Sequence, residues 1–141
     1  MRAIEISRSG LEVEWRRLEV IAQNIANINT TRTEGGGPYQ AMRLLSGPRA
    51  TFGSHVANGA AAPMEGVVVH GLAPASSGVR SVYEPDHPDA DARGYVAYPA
   101  VNHAEEMVSM VKTARAYEAN LVALNLSRQM YSKALELGKR T

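Results

Sequence analysis

The chain has no cysteine, so disulfides and thiolate metal sites are excluded together. It also has no excess charge of one sign. Fifteen basic residues stand against fourteen acidic ones for a net charge of +1, and the two signs are interspersed, so neither nucleic acid nor an anionic membrane is indicated as a partner. No apolar run approaches the roughly 18 residues that span a bilayer. Within the first nineteen residues Glu5, Arg8, Glu12, Glu14, Arg16, Arg17 and Glu19 interrupt every stretch that could serve as the apolar part of a secretory signal. A cytosolic protein is expected, or one exported without a cleaved signal peptide, and no direct membrane insertion.

Catalytic arrangements are missing as well. The four histidines, His55, His70, His87 and His103, are scattered, with no paired spacing on a helix. The acidic run EPDHPDADARG, residues 84–94, holds Glu84, Asp86, Asp89 and Asp91. A calcium loop counted from Asp89 meets Arg93 and Ala100 where oxygen ligands are required, so the run reads as an Asp- and Pro-stabilised turn. The glycine-rich EGGGPY is not followed by Gly-Lys-Ser/Thr and follows a helical pattern, which argues against a phosphate cradle. No Gly-x-Ser-x-Gly elbow occurs. No enzyme, no metal and no cofactor are expected.

What is present is periodicity at both ends of a 141-residue chain that is 45% hydrophobic. Ile4, Leu11, Leu18 and Ile25 lie seven apart, and Trp15, Ile21, Ala22 and Ile28 fill positions three or four residues on. This heptad stripe predicts a helix. Gly10 inside it costs about 1 kcal/mol relative to alanine. Near the C-terminus Met107, Met110, Ala114, Tyr117, Leu121, Leu124, Tyr131 and Leu135 repeat at alternating spacings of three and four, broken at Arg128. Asn102 with Glu105 suits an N-cap, and Lys133, Gly138 and Lys139 suit a C-terminus, so a helix over 102–138 is predicted, on the order of 55 Å long.

Between the helices QAMRLLS, GVVVHGLA, GVRSVYE and GYVAY read as four short strands. Residues 47–66 form a small-residue loop without periodicity. The fold class is therefore α+β, with long N- and C-terminal helices forming a coiled-coil-like layer and a small antiparallel β insertion between them. The expected division is an N-terminal helix over 1–31, a hinge strap and small β domain over 32–101, and a C-terminal helix over 102–141.

The seams need partners. The two helices could pair as an antiparallel hairpin, but Val108, Val111, Val122 and Leu126 lie off the counted seam, which leaves apolar surface for neighbouring copies or homologous subunits to cover. The expected assembly interface is Ile4, Leu11, Trp15, Leu18, Ile21, Ile25, Met107, Met110, Tyr117, Leu121, Leu124, Tyr131 and Leu135. Trp15, Tyr117 and Tyr131 read as packing anchors rather than ligand platforms. Asn24, Asn120 and Asn125 are expected to face solvent, with a register-setting role as the alternative.

The residues as they stand resemble the flagellar basal-body rod proteins, in particular the FlgC type of the proximal rod. The N-terminal signature of that family is similar to VIAQNIANINTTRTEGGGPYQ, the segment before its last helix to VYEPDHPDADARGYVAYPAVN, and its C-terminal helix to EEMVSMVKTARAYEANLVALNLSRQMYSKALELG. The resemblance implies a subunit exported unfolded through the flagellar type III apparatus and assembled in the periplasm, at the flagellar basal body, into the shaft that transmits torque to hook and filament. It implies copies of itself and homologous rod subunits as partners, together with the inner-membrane ring and the export apparatus. Asn27, Asn29, Thr30, Thr31, Gly35, Gly36 and Gly37 would form the hinge and strap between inner helical layer and outer β domain. Asn27 and Asn29 are expected to tolerate left-handed backbone there, and the tract to become ordered only against neighbouring subunits. The competing readings are another axial rod or hook-family subunit, a self-associating coiled-coil adaptor, and an enzyme with an acidic metal centre.

Overall fold

A computed structural model of the chain describes residues 2–49, 53, 65–75 and 78–138. The element order is α1 (Arg2–Ala26), β1 (Met42–Pro48), β2 (Val67–Pro74), β3 (Val79–Tyr83), β4 (Tyr95–Pro99) and α2 (His103–Gly138). Both predicted helices and all four predicted strands are present, in the α+β arrangement expected. The strands form two two-stranded sheets, β1 with β2 and β3 with β4. β1 runs through Gly47 and Pro48, two residues past the expected strand, and most of the predicted small-residue loop that follows lies outside the described residues.

α1 ends at Ala26, short of the seam position Ile28. The stop has a local cause. The Asn27 N–H still closes onto the Gln23 carbonyl at 3.1 Å, but the Ile28 N–H turns to the Ile25 carbonyl at 3.3 Å, three residues back, while Asn27 Nδ2 also donates to the Gln23 carbonyl at 2.9 Å and its Oδ1 accepts from the Thr30 hydroxyl at 3.0 Å. α2 begins as predicted. Asn102 Oδ1 accepts from the N–H groups of Ala104 (3.1 Å) and Glu105 (3.4 Å), and Asn102 Nδ2 donates to Glu105 Oε1 at 3.1 Å. Gly138 is the last helical residue, and Lys139 lies outside the described residues.

The chain divides into two compact units, each drawing residues from both helices and from the β1–β2 pair. The first unit comprises Met1–Arg16, Leu45–Gly71 and Lys112–Thr141. Among the described residues its buried side chains are Val13, Thr113 and Leu124. Trp15 lies against Tyr117 with ring centroids 6.3 Å apart, and a Cβ at Gly10 would stand 2.9 Å from the Asn120 amide nitrogen. Glycine at position 10 thus lets the backbone of α1 come up against the Asn120 side chain on α2, which accounts for a residue that only weakens an isolated helix. At the start of β2, Ser9 Oγ accepts from the Val67 N–H at 3.1 Å while donating to the Ile6 carbonyl at 2.7 Å.

The second unit comprises Arg17–Leu44 and Leu72–Val111. Val20, Ile21, Asn24, Ala41, Val96, Pro99 and Glu106 are buried in it. β3 and β4 pair antiparallel with Val82 opposite Val96 and Tyr83 opposite Tyr95, and Val96 has no exposed surface. The loop between these strands is closed by its own backbone, with Glu84 N–H donating to the Gly94 carbonyl at 2.9 Å and Asp91 N–H to the Tyr95 carbonyl at 2.8 Å.

Gly94 occupies a left-handed conformation, φ +82°, and a Cβ there would come within 2.9 Å of the Tyr83 ring and 3.2 Å of Pro85. Gly94→Ala is therefore expected to destabilise the chain by about 1–3 kcal/mol. Gly35 has open space around it and no positive φ, so Gly35→Ala should stay within about 0.5 kcal/mol of the parent. Urea unfolding of the two variants side by side checks both statements.

Candidate assembly surfaces and strap

The most completely bonded side chain of the second unit is Asn24, 1% exposed. Its Nδ2 donates to the Met42 carbonyl at 2.9 Å and to Glu106 Oε2 at 3.3 Å. Its Oδ1 accepts from the Tyr39 hydroxyl at 3.0 Å and the Met42 N–H at 3.0 Å. Two donors and two acceptor sites are the whole capacity of a carboxamide, and all four are used on three different segments. Burial, and then the charge of Glu106, push the Tyr39 phenol above its ordinary value, so it stays protonated and keeps donating. The expectation that Asn24 faces solvent is overturned. Asn120 is half-buried, and Asn125 is exposed as expected.

A sequence signal for Asn24 did exist. Ile6, Val13 and Val20 are also seven apart, and with Gly10, Arg17 and Asn24 they make a second stripe at alternating spacings of four and three. Counting the larger apolar residues selects the other stripe. Small and β-branched residues turn inward because they allow close approach.

The predicted seam residues occupy graded positions. Ile21 and Leu124 are buried; Ile4, Leu11, Leu18, Ile25, Met110 and Tyr117 are half-buried; Trp15, Met107, Leu121, Tyr131 and Leu135 are exposed. Around them on α2, Val108, Val111, Val122, Leu126, Met130 and Leu137 are also exposed, Val122 to 66% and Leu137 to 70%. Every described residue from Arg128 onward is exposed. The inward positions of α2 instead include Glu106 in the second unit and Thr113 in the first. This inverts the usual distribution for a helix buried on one face only.

The strap is tied within its own unit. Thr30 N–H donates to the Asn27 carbonyl at 3.1 Å, Tyr39 N–H to the Thr30 carbonyl at 3.0 Å, Gly36 N–H to the Thr33 carbonyl at 2.9 Å and Thr33 N–H to the Gly37 carbonyl at 2.9 Å. Gly36 and Gly37 take φ of +77° and +83°, the left-handed values that glycine accommodates. Asn27 and Asn29 do not, since the described residues other than glycine all have negative φ, and Gly35 is not left-handed. All of these bonds lie within the one chain. Thr31 Oγ1 donates to Asp89 Oδ2 at 2.8 Å and Arg32 stands 3.5 Å from Asp89 Oδ1, joining strap to acidic loop.

In that loop the carboxylates bond the turn, as predicted. Asp91 Oδ1 accepts from the N–H groups of Arg93 (2.8 Å) and Tyr95 (2.9 Å), and these bonds hold its carboxyl below the ordinary carboxylate value. Tyr98 donates its hydroxyl to Glu84 Oε2 at 2.9 Å.

Comparison with known proteins decides the family. Residues 4–32 match the family described as Flagella basal body rod protein, and residues 92–137 match the family described as Flagellar basal body rod FlgEFG protein C-terminal. The chain is 37% identical to the flagellar basal-body rod protein FlgC of Borreliella burgdorferi, over 96% of this chain and 95% of that one. It is 34% identical to FlgC of Bacillus subtilis over 97% of each chain, and 34% identical to FlgC of Salmonella typhimurium over 99% of this chain and 98% of that one. The chain belongs to the FlgC family of flagellar basal-body rod proteins. The first family match covers nearly all of α1 and the start of the strap, and the second covers β4 and all but the final residue of α2. The bond between Asn24 and Glu106 therefore joins the two matched segments.

Asn24→Ala removes four bonds and strands Tyr39, Met42 and Glu106, so a loss on the order of 2–4 kcal/mol is expected. Asn27→Ala, which loses exposed bonds, should cost about 1 kcal/mol or less. Urea midpoints of the two variants, compared at constant m-value, check the ranking.

Proposed function

We propose that the chain is a structural subunit of the flagellar proximal rod, and that its terminal helices supply the surfaces by which it assembles. The observation that carries this reading is the inverted α2, with polar groups such as Glu106 and Thr113 inside and Leu121, Val122, Leu126, Met130, Leu135 and Leu137 outside. An apolar surface of this extent on a soluble subunit fits later burial by neighbours. At about 25 cal/mol per Å², an interface of roughly 1,500 Å² contributes tens of kcal/mol of gross hydrophobic stabilisation before ordering costs, enough to hold a stiff shaft.

In this reading residues 1–31 and 102–141 form the inner helical layer, residues 32–101 form the strap and outer β domain, and Asn27 to Gly37 serve as the hinge between them. The partners are copies of the chain and homologous rod subunits, with the inner-membrane ring and export apparatus at the base. Export without a cleaved signal to the periplasmic part of the basal body completes the reading, and no catalytic step belongs to it. FlgC-type relatives matched over nearly the full chain support the rod reading over a cytosolic adaptor.

Leu121→Asp and Leu18→Asp are expected to abolish motility by placing a charge in the assembled helical layer, while the β3–β4 sheet remains folded. Swimming assays together with the near-ultraviolet signal of the Tyr83–Tyr95 pair, whose centroids lie 5.3 Å apart, check this. Normal swimming by both variants would contradict the seam as an assembly surface.

A further inference from the structure

His87 is half-buried in the loop between β3 and β4, its ring edge-on to Tyr98 with centroids 6.3 Å apart. Its Nδ1 accepts the backbone N–H of Asp89 at 3.1 Å. An imidazole nitrogen that accepts a hydrogen bond carries no proton, so this contact requires the ring hydrogen to sit on Nε2. The residue whose amide His87 holds is the one whose carboxylate holds the strap, through Thr31 at 2.8 Å and Arg32 at 3.5 Å.

We propose that His87 is a proton-sensitive pin: neutral, it fixes Asp89 so that the carboxylate latches the strap, and protonated, it releases that latch. The proton comes from solvent to Nδ1 while Nε2 keeps its own. The ring then donates from both nitrogens, the Asp89 N–H loses its acceptor, and two N–H groups face each other.

The charged and titratable surroundings favour the same exchange. Of the charged and titratable groups on the elements about it, Glu84, Asp86 and Asp89 lie on its own loop; β4 brings Tyr98, whose hydroxyl is committed to Glu84; β3 brings Arg80, 5.6 Å from the Tyr98 ring centre; and the strap brings Arg32, 3.5 Å from Asp89. Tyr98 stays neutral, because its bond to Glu84, then burial and the Glu84 charge, push its phenol up against the weaker opposing pull of Arg80. The acidic residues of this loop would be attracted to a protonated ring. An imidazolium beside Asp89 competes with Thr31 and Arg32 for the same carboxylate. This device does not depend on the assembly reading, since all its parts lie in one unit of one chain.

The test is amide hydrogen exchange by NMR on the full chain across the window in which histidine changes charge, from about pH 8 to about pH 5. The reporters are the Thr33 and Tyr39 amides, whose bonds close the strap. Losing one hydrogen bond should lower their protection factors by about fivefold to tenfold towards acid pH. The midpoint should coincide with the titration of the His87 ring nitrogens. In His87→Asn the Asn Oδ1 can accept the same N–H two residues on, as an Asx turn does, without titrating, so protection should stay level. A level profile in the parent chain, an equal fall in His87→Asn, or a midpoint apart from the His87 ring titration would each overturn the proposal. The midpoint comparison needs only the parent chain and decides the matter if the variant does not fold.

Discussion

The Asn24 carboxamide is the interaction on which the second unit depends. It sits where α1, the strap at Tyr39, the first residue of β1 and the first turn of α2 converge, and it bonds to three of those segments besides its own. A buried amide of this kind contributes little net energy when satisfied and costs a great deal when it is not. Its value is therefore geometric. A shift of α1 by one residue would bring Gln23 or Ile25 against Glu106, Tyr39 and the Met42 backbone, a longer amide or an apolar side chain that does not reproduce the four bonds, so the network admits one register where an apolar contact would tolerate several.

This choice has a consequence for the outer surface. Once polar and small residues occupy the inner positions of the helices, Glu106 and Asn24 in one unit and Gly10, Thr113 and Asn120 in the other, the larger apolar side chains turn outward. The subunit gains a defined internal register and keeps its apolar area for contacts beyond itself. For a member of the FlgC family of rod proteins that division of labour is physically coherent: inner contacts specify the register, and the outer apolar area remains open to neighbours.

Much of this was legible in the residues. The strands stood out because β-branched runs such as Val67–Val69 are bounded by glycine and proline, and the start of α2 was marked by Asn102 with Glu105. The acidic loop was readable as a turn because Asp91 needs only neighbours two and four residues away. What escaped was non-local. Whether four strands form one sheet or two depends on pairing between distant segments; the bond from Thr31 to Asp89 spans 58 residues. The inward role of Asn24 was hidden because two heptad stripes run side by side on α1, and side-chain size favours the wrong one as the inner face. Gly10 looked like a defect for the same reason, since its use lies in the Asn120 side chain more than a hundred residues away.

The central claim is that the exposed apolar face of α2 becomes buried when the subunit assembles. Because the chain has no cysteine, the most direct measurement is maleimide labelling of Val122→Cys and Leu137→Cys, each in cells that still swim, with the soluble subunit compared against purified basal bodies. The account predicts ready labelling of the free subunit and protection in the basal body at both positions. Equal labelling in the two states would contradict it.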